Sequence, residues 1–374
     1  MTRKRKFRIS NRLRIKLRTL LYIFLGWSLF SLFLIAYNHM LLNSSENYDL
    51  KSSVVGFLFG VFLAAILGGT LIVFFLRRKL RRLPLGLSLL IYFLVFTLLI
   101  IFISFASSFI YVAVAFKRPL WHQDVWTGVE KYLIQDYGLL LNLLTWLSVA
   151  IITIFTMQIS EKFGRVVFRN LLVGKYYVPK EEDRIFMFLD LKSSTAIAEK
   201  LGSVLYFKFL NDFIEDASLP IIENFGEIYQ YVGDEVIITW PLEKGINEAR
   251  CIRCFFQIDA VIKRHRDRYL NKYGTVPEFK AGLHCGRVAV GEVGTYKKDI
   301  VYSGDVLNTA SRIQELCNKH DAEFLVSGEL LDILEVPGKY RISDIGVFEL
   351  RGRSKPAKLF RIDLPEEQVV PSST

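Results

Sequence analysis

Residues Pro277–Gln314, PEFKAGLHCGRVAVGEVGTYKKDIVYSGDVLNTASRIQ, give the clearest indication of fold in the second half of this 374-residue chain. Within it, FKAGLHCGRVAVGEV and DIVYSGDV have the apolar pattern of strands. LNTASRIQELCNKH, which continues beyond its end, has the spacing of a helix. Two strands and an amphipathic helix in immediate succession indicate a mixed α and β domain.

The segments on either side extend this pattern. RIFMFLDL predicts a short buried strand, and residues 194–225 predict one or two amphipathic helices broken near Pro220. GEIYQYVGDEVIITWPL has the signature of a hairpin around Gly233-Asp234. A helix over 247–273 follows, and the last strands are expected at GVFELRG and KLFRID. This order predicts an α+β fold with a ferredoxin-like βαββαβ core.

The first half has the composition of a membrane protein. Apolar residues make up 52% of the whole sequence, and the formal net charge is +11. A helix needs about 20 apolar residues to cross a bilayer, and helices of a soluble core would keep a polar face. We therefore expect an α-helical transmembrane region with four spans, none with an interior charge: Leu20–Leu41, Val54–Leu76, Leu85–Phe116 and Leu139–Met157.

Basic residues predict how these spans are oriented. Thr2–Arg18 carries nine basic residues and no acidic one, and the 77–82 loop, RRKLRR, carries five, whereas the loops 43–53 and 117–137 are mixed. The positive-inside bias puts the N-terminus and the 77–82 loop in the cytoplasm, and with four spans the C-terminal half as well. The expected location is the inner cell membrane. We interpret the basic arm as contacting the lipid bilayer and not nucleic acid.

These patterns set the expected domain limits. A basic cytoplasmic arm occupies 1–18, the transmembrane region 19–158 and a linker 159–183, in which a helical stretch is ended by Pro179. The α+β domain occupies 184–364, and a short tail follows at 365–374.

Two aspartates stand at strand ends of the predicted core. Asp190 follows the first strand, and Asp234 lies at the tip of the hairpin. In a ferredoxin-like core these elements are neighbours, so the two carboxylates can converge and would then need a cation between them. Mg²⁺ with a nucleotide phosphate is the usual solution. Each aspartate alone would be interpreted as a helix cap or a turn residue.

Together with Pro277–Gln314, these blocks resemble the catalytic domain of class III adenylyl and guanylyl cyclases. FLDLKSST is similar to the first metal motif of that family and YVGDEVI to its second. GDVLNTASRIQ is similar to its G-D-x-V-N-x-A-x-R segment, with Leu307 in place of the Val. The resemblance covers roughly Arg184 to Asp363.

The resemblance implies a role for each matching residue. Asp190, Leu191 and Asp234 would form a metal site for two Mg²⁺ or Mn²⁺ ions, one activating the ribose 3′-hydroxyl and the other neutralising the triphosphate. Asn308 and Arg312 lie four apart, and so on one helix face. They match the pair that positions the ribose and stabilises charge at the α-phosphate.

Substrate contacts follow from the same resemblance. Arg353, or its neighbour Arg351, matches a late basic residue at the terminal phosphates. Lys280 matches the residue that reads the base, and an amine there favours ATP because guanylyl cyclases carry an acidic residue instead. The second base position is Val301, whose side chain cannot hydrogen-bond, and Gln230 stands where many members have Lys. We therefore expect moderate selectivity for ATP.

In this family the site lies between two chains arranged head to tail. The resemblance implies a homodimer with two identical sites, in which Asp190, Asp234 and Lys280 of one chain meet Asn308 and Arg312 of the other. The expected function is that of a membrane-anchored adenylate cyclase, which converts ATP to 3′,5′-cyclic AMP and diphosphate.

Other interpretations stay open or are disfavoured by particular residues. Val301 leaves a guanylate or relaxed-specificity cyclase open. A catalytically inert cyclase-like module would usually have lost one of the site residues named above, and a diguanylate cyclase would need a Gly-Gly-Asp/Glu-Glu-Phe hairpin that YVGDEVI lacks. Cys251 and Cys254 form a CxxC, but no second pair of ligands completes a zinc site.

Overall fold

The computed structural model describes residues 11–42, 49–80, 83–135, 137–296, 298–350 and 356–365. The first ten residues of the basic arm, part of the 77–82 loop, Arg353 and nearly all of the predicted tail lie outside these ranges. The chain divides into two compact units, Met1–Lys162 and Phe163–Thr374.

The described part of the first unit is helical, and it contains four helical segments that are long and apolar enough to cross a membrane. These candidate spans cover Lys16–Leu41, Leu50–Leu76, Gly86–Phe116 and Gly138–Ser160, each slightly longer than or close to its predicted range. The helices are α1 (Asn11–Leu42), α2 (Leu50–Ala64), α3 (Arg77–Leu80), α4 (Leu85–Phe116), α5 (Gln123–Glu130) and α6 (Gly138–Phe163). Between α2 and α3 the chain continues as π-helix over Ala65–Gly69 and Leu71–Leu76.

The loop between the third and fourth spans is ordered by its own hydrophobic residues. Val125 and Val129 of α5, with Leu133, are buried against Val112 of α4. Trp126 packs edge-to-face on Phe109, with ring centroids 4.6 Å apart.

The second unit contains one eight-stranded sheet. Its helices and strands are α7 (Arg165–Leu172), β1 (Lys180–Leu191), α8 (Ser194–Leu201), α9 (Ser203–Glu223), β2 (Glu227–Val232), β3 (Glu235–Pro241), α10 (Leu242–Ile246), α11 (Arg250–Arg264), α12 (Arg266–Tyr273), β4 (Phe279–Val293), β5 (Asp299–Ser303), α13 (Asp305–Lys319), β6 (Phe324–Ser327), α14 (Gly328–Leu331), β7 (Arg341–Phe348) and β8 (Ala357–Asp363). The strand order is β2-β3-β1-β4-β6-β8-β7, with β5 paired to β4. The antiparallel set β2-β3-β1-β4 is the ferredoxin-like core, so the predicted fold class is confirmed.

Strand alternation separates the two faces of this sheet. On one face, residues such as Met187, Val236 and Leu283 pack against α9 and α11 in the main core. On the other face, Phe186, Phe188 and Ile237 share a smaller cluster with Val306 and Ala310 of α13. Asp190 and Lys280 follow the second alternation, so both lie on the side of α13.

The structure corrects several local predictions. The helix break lies at Gly202, which has a φ of +72°, and not at Pro220, which is buried inside α9 near its end. The predicted helix over 247–273 divides at His265, and the linker helix ends at Leu172, before Pro179. The strand β6 was not predicted, because its four residues are too few to show a period.

Candidate active site

The register of the central strands brings the two aspartates together. Asp190 is the second-last residue of β1, and Asp234 lies in the turn between β2 and β3, next to β1 in the sheet. Gly233 has a φ of +64°, a left-handed conformation that glycine adopts without strain. The two carboxyl groups interact directly, and burial and the charge of Asp234 both raise the pKa of Asp190.

Two side chains hold Asp190 through the same oxygen. Lys280 is the register partner of Asp190 on β4, and its Nζ lies 3.4 Å from Asp190 Oδ2. The Gln314 amide Nε2 donates a hydrogen bond of 2.9 Å to that Oδ2 from α13. Lys280 and Gln314 are both buried. The Lys280 charge opposes the rise in the pKa of Asp190.

Two further side chains, not predicted from the sequence, border the aspartates. Burial, followed by the charges of Asp190 and Asp234, raises the pKa of Glu235 to about 7. Burial and the Asp234 charge raise the pKa of Tyr206. The sequence gives one indication of a role for Glu235, which is that it directly follows the candidate metal ligand Asp234 in VGDEV. Gln314 also went unnoticed, although it is a polar residue on the buried stripe of α13 that contains Ile313 and Cys317.

Asn308 and Arg312 lie on a different side of α13 from Gln314. Successive helix residues are about 100° apart, so Asn308 and Arg312 differ by about 40°, whereas Gln314 lies about 200° beyond Arg312. Asn308 is exposed and Arg312 is partly exposed. The Arg312 Nη1 atom is buried and has no hydrogen-bond partner among the described residues. The pair thus points away from the aspartates of its own chain.

The remaining predicted residues have different positions. Leu191 is buried in the main core, so only its backbone carbonyl oxygen could bind an ion. Val301 is exposed on β5. The backbone N–H of its neighbour Tyr302 donates to Tyr229 Oη at 3.4 Å, and Tyr229 directly precedes Gln230 on β2. Arg353 lies outside the described residues.

The position of Lys280 bears on its predicted role. An amine 3.4 Å from a candidate metal ligand would lie near the phosphates of a nucleotide bound through that metal, and not near its base. Base reading by Lys280 stays a prediction that this geometry does not favour. The Lys280 amine instead serves as a counter-ion for Asp190.

The aspartate pair fits a hard divalent cation. Two carboxylates in direct contact are stabilised by a positive charge between them, and oxygen is the ligand that Mg²⁺ prefers. Within the described residues, no cluster of three or more His, Cys, Asp or Glu is arranged to hold a metal. An ion bound by Asp190 and Asp234 would therefore need further oxygen ligands from a nucleotide phosphate. Mg²⁺ is commonly bound in this way, through one or two carboxylates and substrate phosphates.

The CxxC pair has no such chemistry. Cys251 and Cys254 are fully buried in the main core, and burial raises the pKa of Cys251 to about 12 and also raises that of Cys254. Thiols in this state are poor nucleophiles and poor metal ligands.

Comparison with known proteins agrees with this geometry. Residues 177–363 match the family model for the adenylate and guanylate cyclase catalytic domain. Adenylate cyclase 2 of Rhizobium meliloti (strain 1021) is 38% identical over 202 residues, which cover 54% of this chain and 56% of that protein. An adenylate cyclase of Anabaena cylindrica is 25% identical over 182 residues, covering 47% of this chain and 36% of that protein. The matched region thus spans about half or less of these relatives.

A solved structure supports the fold. A bacterial light-regulated adenylyl cyclase superposes with a TM-score of 0.51 at 18% identity, covering 59% of this chain and 64% of that one. Because the family match extends over half of the sequence, the chain belongs to the adenylate and guanylate cyclase family, the class III nucleotidyl cyclases.

Proposed function

We propose that this protein is a membrane-anchored adenylate cyclase that works as a homodimer and converts ATP to 3′,5′-cyclic AMP and diphosphate. One observation carries the proposal. The interacting pair Asp190 and Asp234 lies beside α13, while Asn308 and Arg312 of that helix point elsewhere. Each chain then has half of two sites, and a second copy with two-fold symmetry completes both.

In the proposed reaction the ribose 3′-oxygen attacks the α-phosphorus. The bond from that phosphorus to the bridging oxygen of the β-phosphate breaks, diphosphate leaves, and the proton of the 3′-hydroxyl passes to solvent water. Two Mg²⁺ or Mn²⁺ ions at Asp190, Asp234 and the Leu191 carbonyl would supply Lewis-acid stabilisation of the hydroxyl and the triphosphate.

The protein groups have separate tasks in this proposal. Asn308 orients the ribose of the nucleotide held by the partner's aspartates. Arg312 stabilises the charge that develops on the α-phosphate, and its buried Nη1 without a partner suits that role because a phosphate oxygen would satisfy it. Arg353 is proposed to contact the terminal phosphates.

Base selection is proposed to depend on Gln230 and Val301, with Lys280 as the alternative. Tyr229 and Tyr302 are in contact, and Gln230 and Val301 are their direct neighbours along the chain. A glutamine amide can both donate and accept a hydrogen bond, which fits the N6 and N1 edge of adenine. Relaxed specificity remains the second candidate function, because Val301 contributes no hydrogen bond.

The membrane unit is proposed to span the inner cell membrane four times, with the N-terminus and the catalytic domain in the cytoplasm. The four apolar helices and the basic 77–82 loop support this orientation. Anchoring two chains in one membrane raises their effective concentration and favours the dimer.

The direct test is the identity of the product. The purified full-length protein is incubated with Mn²⁺ and either ATP or GTP, and the cyclic nucleotide is identified by mass spectrometry. We expect cyclic AMP as the main product, and less than about a tenth of that activity in Asp190→Asn or Asp234→Asn, each of which removes an ion ligand. Equal rates on both nucleotides would refute the adenylate assignment, and no cyclic product would refute the enzyme.

A further inference from the structure

We propose that Gln314 is a positioning residue for Asp190 of its own chain, and that α13 therefore serves both active sites of the dimer. This inference rests on the proposed function, because it assumes sites shared between two chains. One side of α13 presents Asn308 and Arg312 to the partner's nucleotide. Another side, at Gln314, fixes a metal ligand of the site on its own chain.

The contact itself is well defined. Gln314 is 4% exposed, and its Nε2 donates to Asp190 Oδ2 at 2.9 Å. Lys280 Nζ reaches the same oxygen from β4 at 3.4 Å. With Oδ2 held by two donors, rotation of the carboxylate is restricted and Oδ1 has no part in either contact. A ligand oxygen oriented in this way by outer groups binds a cation more tightly than a freely rotating one.

Close packing of α13 on β4 sets the length of this contact. A Cβ on Gly282 would lie 2.3 Å from the Gln314 backbone nitrogen and 2.5 Å from the Ala310 carbonyl oxygen. Only glycine permits this approach. One turn beyond Gln314, Cys317 Sγ donates to the Ala281 carbonyl oxygen at 3.4 Å. The helix is thus seated directly on the strand that carries Lys280.

A consequence is that the two sites communicate. When Arg312 engages a phosphate in one site, any shift of α13 reaches the other site through the Gln314–Asp190 hydrogen bond. The helix α13 thus forms a continuous physical connection with one contact at each site.

The first measurement uses Gln314→Met, which keeps the side-chain length and removes the donor. We expect the dissociation constant for Mn²⁺, measured without turnover from the electron paramagnetic resonance signal of free Mn²⁺, to rise about tenfold, the usual effect of losing an outer-sphere partner. The Mn²⁺ concentration for half-maximal activity should rise with it. Cys317→Ala is the matched control, since it disturbs the same helix–strand contact without touching Asp190, and its Mn²⁺ dependence should stay within about twofold of wild type. Gln314→Leu, similar in size and without a donor or a metal ligand, serves as a second variant should Gln314→Met fold poorly.

The second measurement identifies the site on which Gln314 acts. At low Mn²⁺, where the Gln314→Met homodimer is nearly inactive, this chain is co-expressed with Arg312→Ala or with Asp190→Ala chains. If Gln314 serves the Asp190 of its own chain, a mixed dimer with Arg312→Ala keeps one intact site, and random mixing restores about a quarter of wild-type activity. A mixed dimer with Asp190→Ala has both aspartate sets damaged, and activity should stay below about a twentieth.

Recovery with Asp190→Ala but not with Arg312→Ala, or recovery with both, would overturn the inference. An unchanged Mn²⁺ dependence of both Gln314 variants would overturn it as well. Co-expression of Asp190→Ala with Arg312→Ala distinguishes a failure of the Gln314 positioning role from a failure of the shared active site. Recovery in that pair with the opposite Gln314 pattern refutes the positioning role alone. No recovery in that pair, with mixed dimers formed, refutes the shared site and the inference with it.

Discussion

Gly282→Ala tests the packing that positions α13 beside the aspartates. The new Cβ would lie 2.3 Å from the Gln314 nitrogen and 2.8 Å from its Cα, whereas ordinary contacts begin at 3.4 Å. The obstructing atoms are backbone, so no side-chain rotation relieves the overlap. The helix must therefore move by about 1 Å, since overpacked cores relax through backbone shifts.

The expected cost follows from that displacement. Overpacking a core destabilises by about 1–3 kcal/mol, and contacts with a rigid helix backbone favour the upper end. For a domain of this size, about 3 kcal/mol lowers the melting temperature by roughly 6–12 °C. The 2.9 Å hydrogen bond from Gln314 to Asp190 would also lengthen beyond bonding distance, so activity at limiting Mn²⁺ should fall about tenfold or more.

The assay is thermal unfolding of the full-length protein in detergent, followed by cyclase activity at a temperature where the variant is folded. Gly328→Ala is the control, because its Cβ would meet neighbours at no less than 3.4 Å, and it should change stability by less than about 1 kcal/mol. A Gly282→Ala protein with wild-type melting temperature and wild-type Mn²⁺ dependence would refute the close approach of α13 and β4.

Three further predictions concern the charges and the base. In EDTA, the Glu235→Gln variant should have a higher free energy of unfolding than wild type above pH 7 and nearly the same one below pH 4.5. The reason is that the pKa of Glu235 is raised to about 7 in the folded protein, so its favourable protonated form is lost as pH rises through that value. The difference should reach about 1–2 kcal/mol after allowance for partial exposure, and identical melting profiles from pH 4 to 8 would contradict it. Lys280→Met should lower rates on ATP and GTP by similar factors of about 10–100, whereas a ratio changed more than about tenfold would support Lys280 as the base reader. Gln230→Glu should reduce the ATP-to-GTP ratio by about tenfold, since the donor to adenine N1 is lost, and an unchanged ratio would remove Gln230 from base selection.

The sequence was sufficient for the order and pairing of the central elements. The alternation in RIFMFLDL, the Gly233-Asp234 turn and the long strand at FKAGLHCGRVAVGEV each have a local physical signal. Their order predicts β2-β3-β1-β4, and this places Asp190 beside Asp234 before any coordinates are known. The apolar spans were equally visible, because length and composition alone define them.

Features that depend on tertiary contacts were beyond prediction. Pro220 suggested a helix break, yet α9 continues through it because this turn is buried against the sheet. The four residues of β6 show no period and are recognisable only once β4 and β8 flank them. Local propensity is a weak guide wherever packing of this kind decides the outcome.

The role of Lys280 illustrates a different limit. A motif assigns a residue its function by position along the chain, whereas the strand register decides what its side chain touches. Here the strand register places Lys280 opposite Asp190, and no sequence pattern predicts this pairing. Gln314 was missed for the same reason, since a glutamine on an apolar stripe has meaning only when its partner is known.

The central claim is that each active site is built from two chains, and co-expression of Asp190→Ala with Arg312→Ala tests it most directly. Each variant alone should be inactive, because every site in its homodimer lacks one essential group. In the mixture half of the dimers are mixed, and each mixed dimer has one site with both groups intact, so about a quarter of wild-type activity should return. If mixed dimers are isolated and remain inactive, the site lies within one chain and the account is wrong.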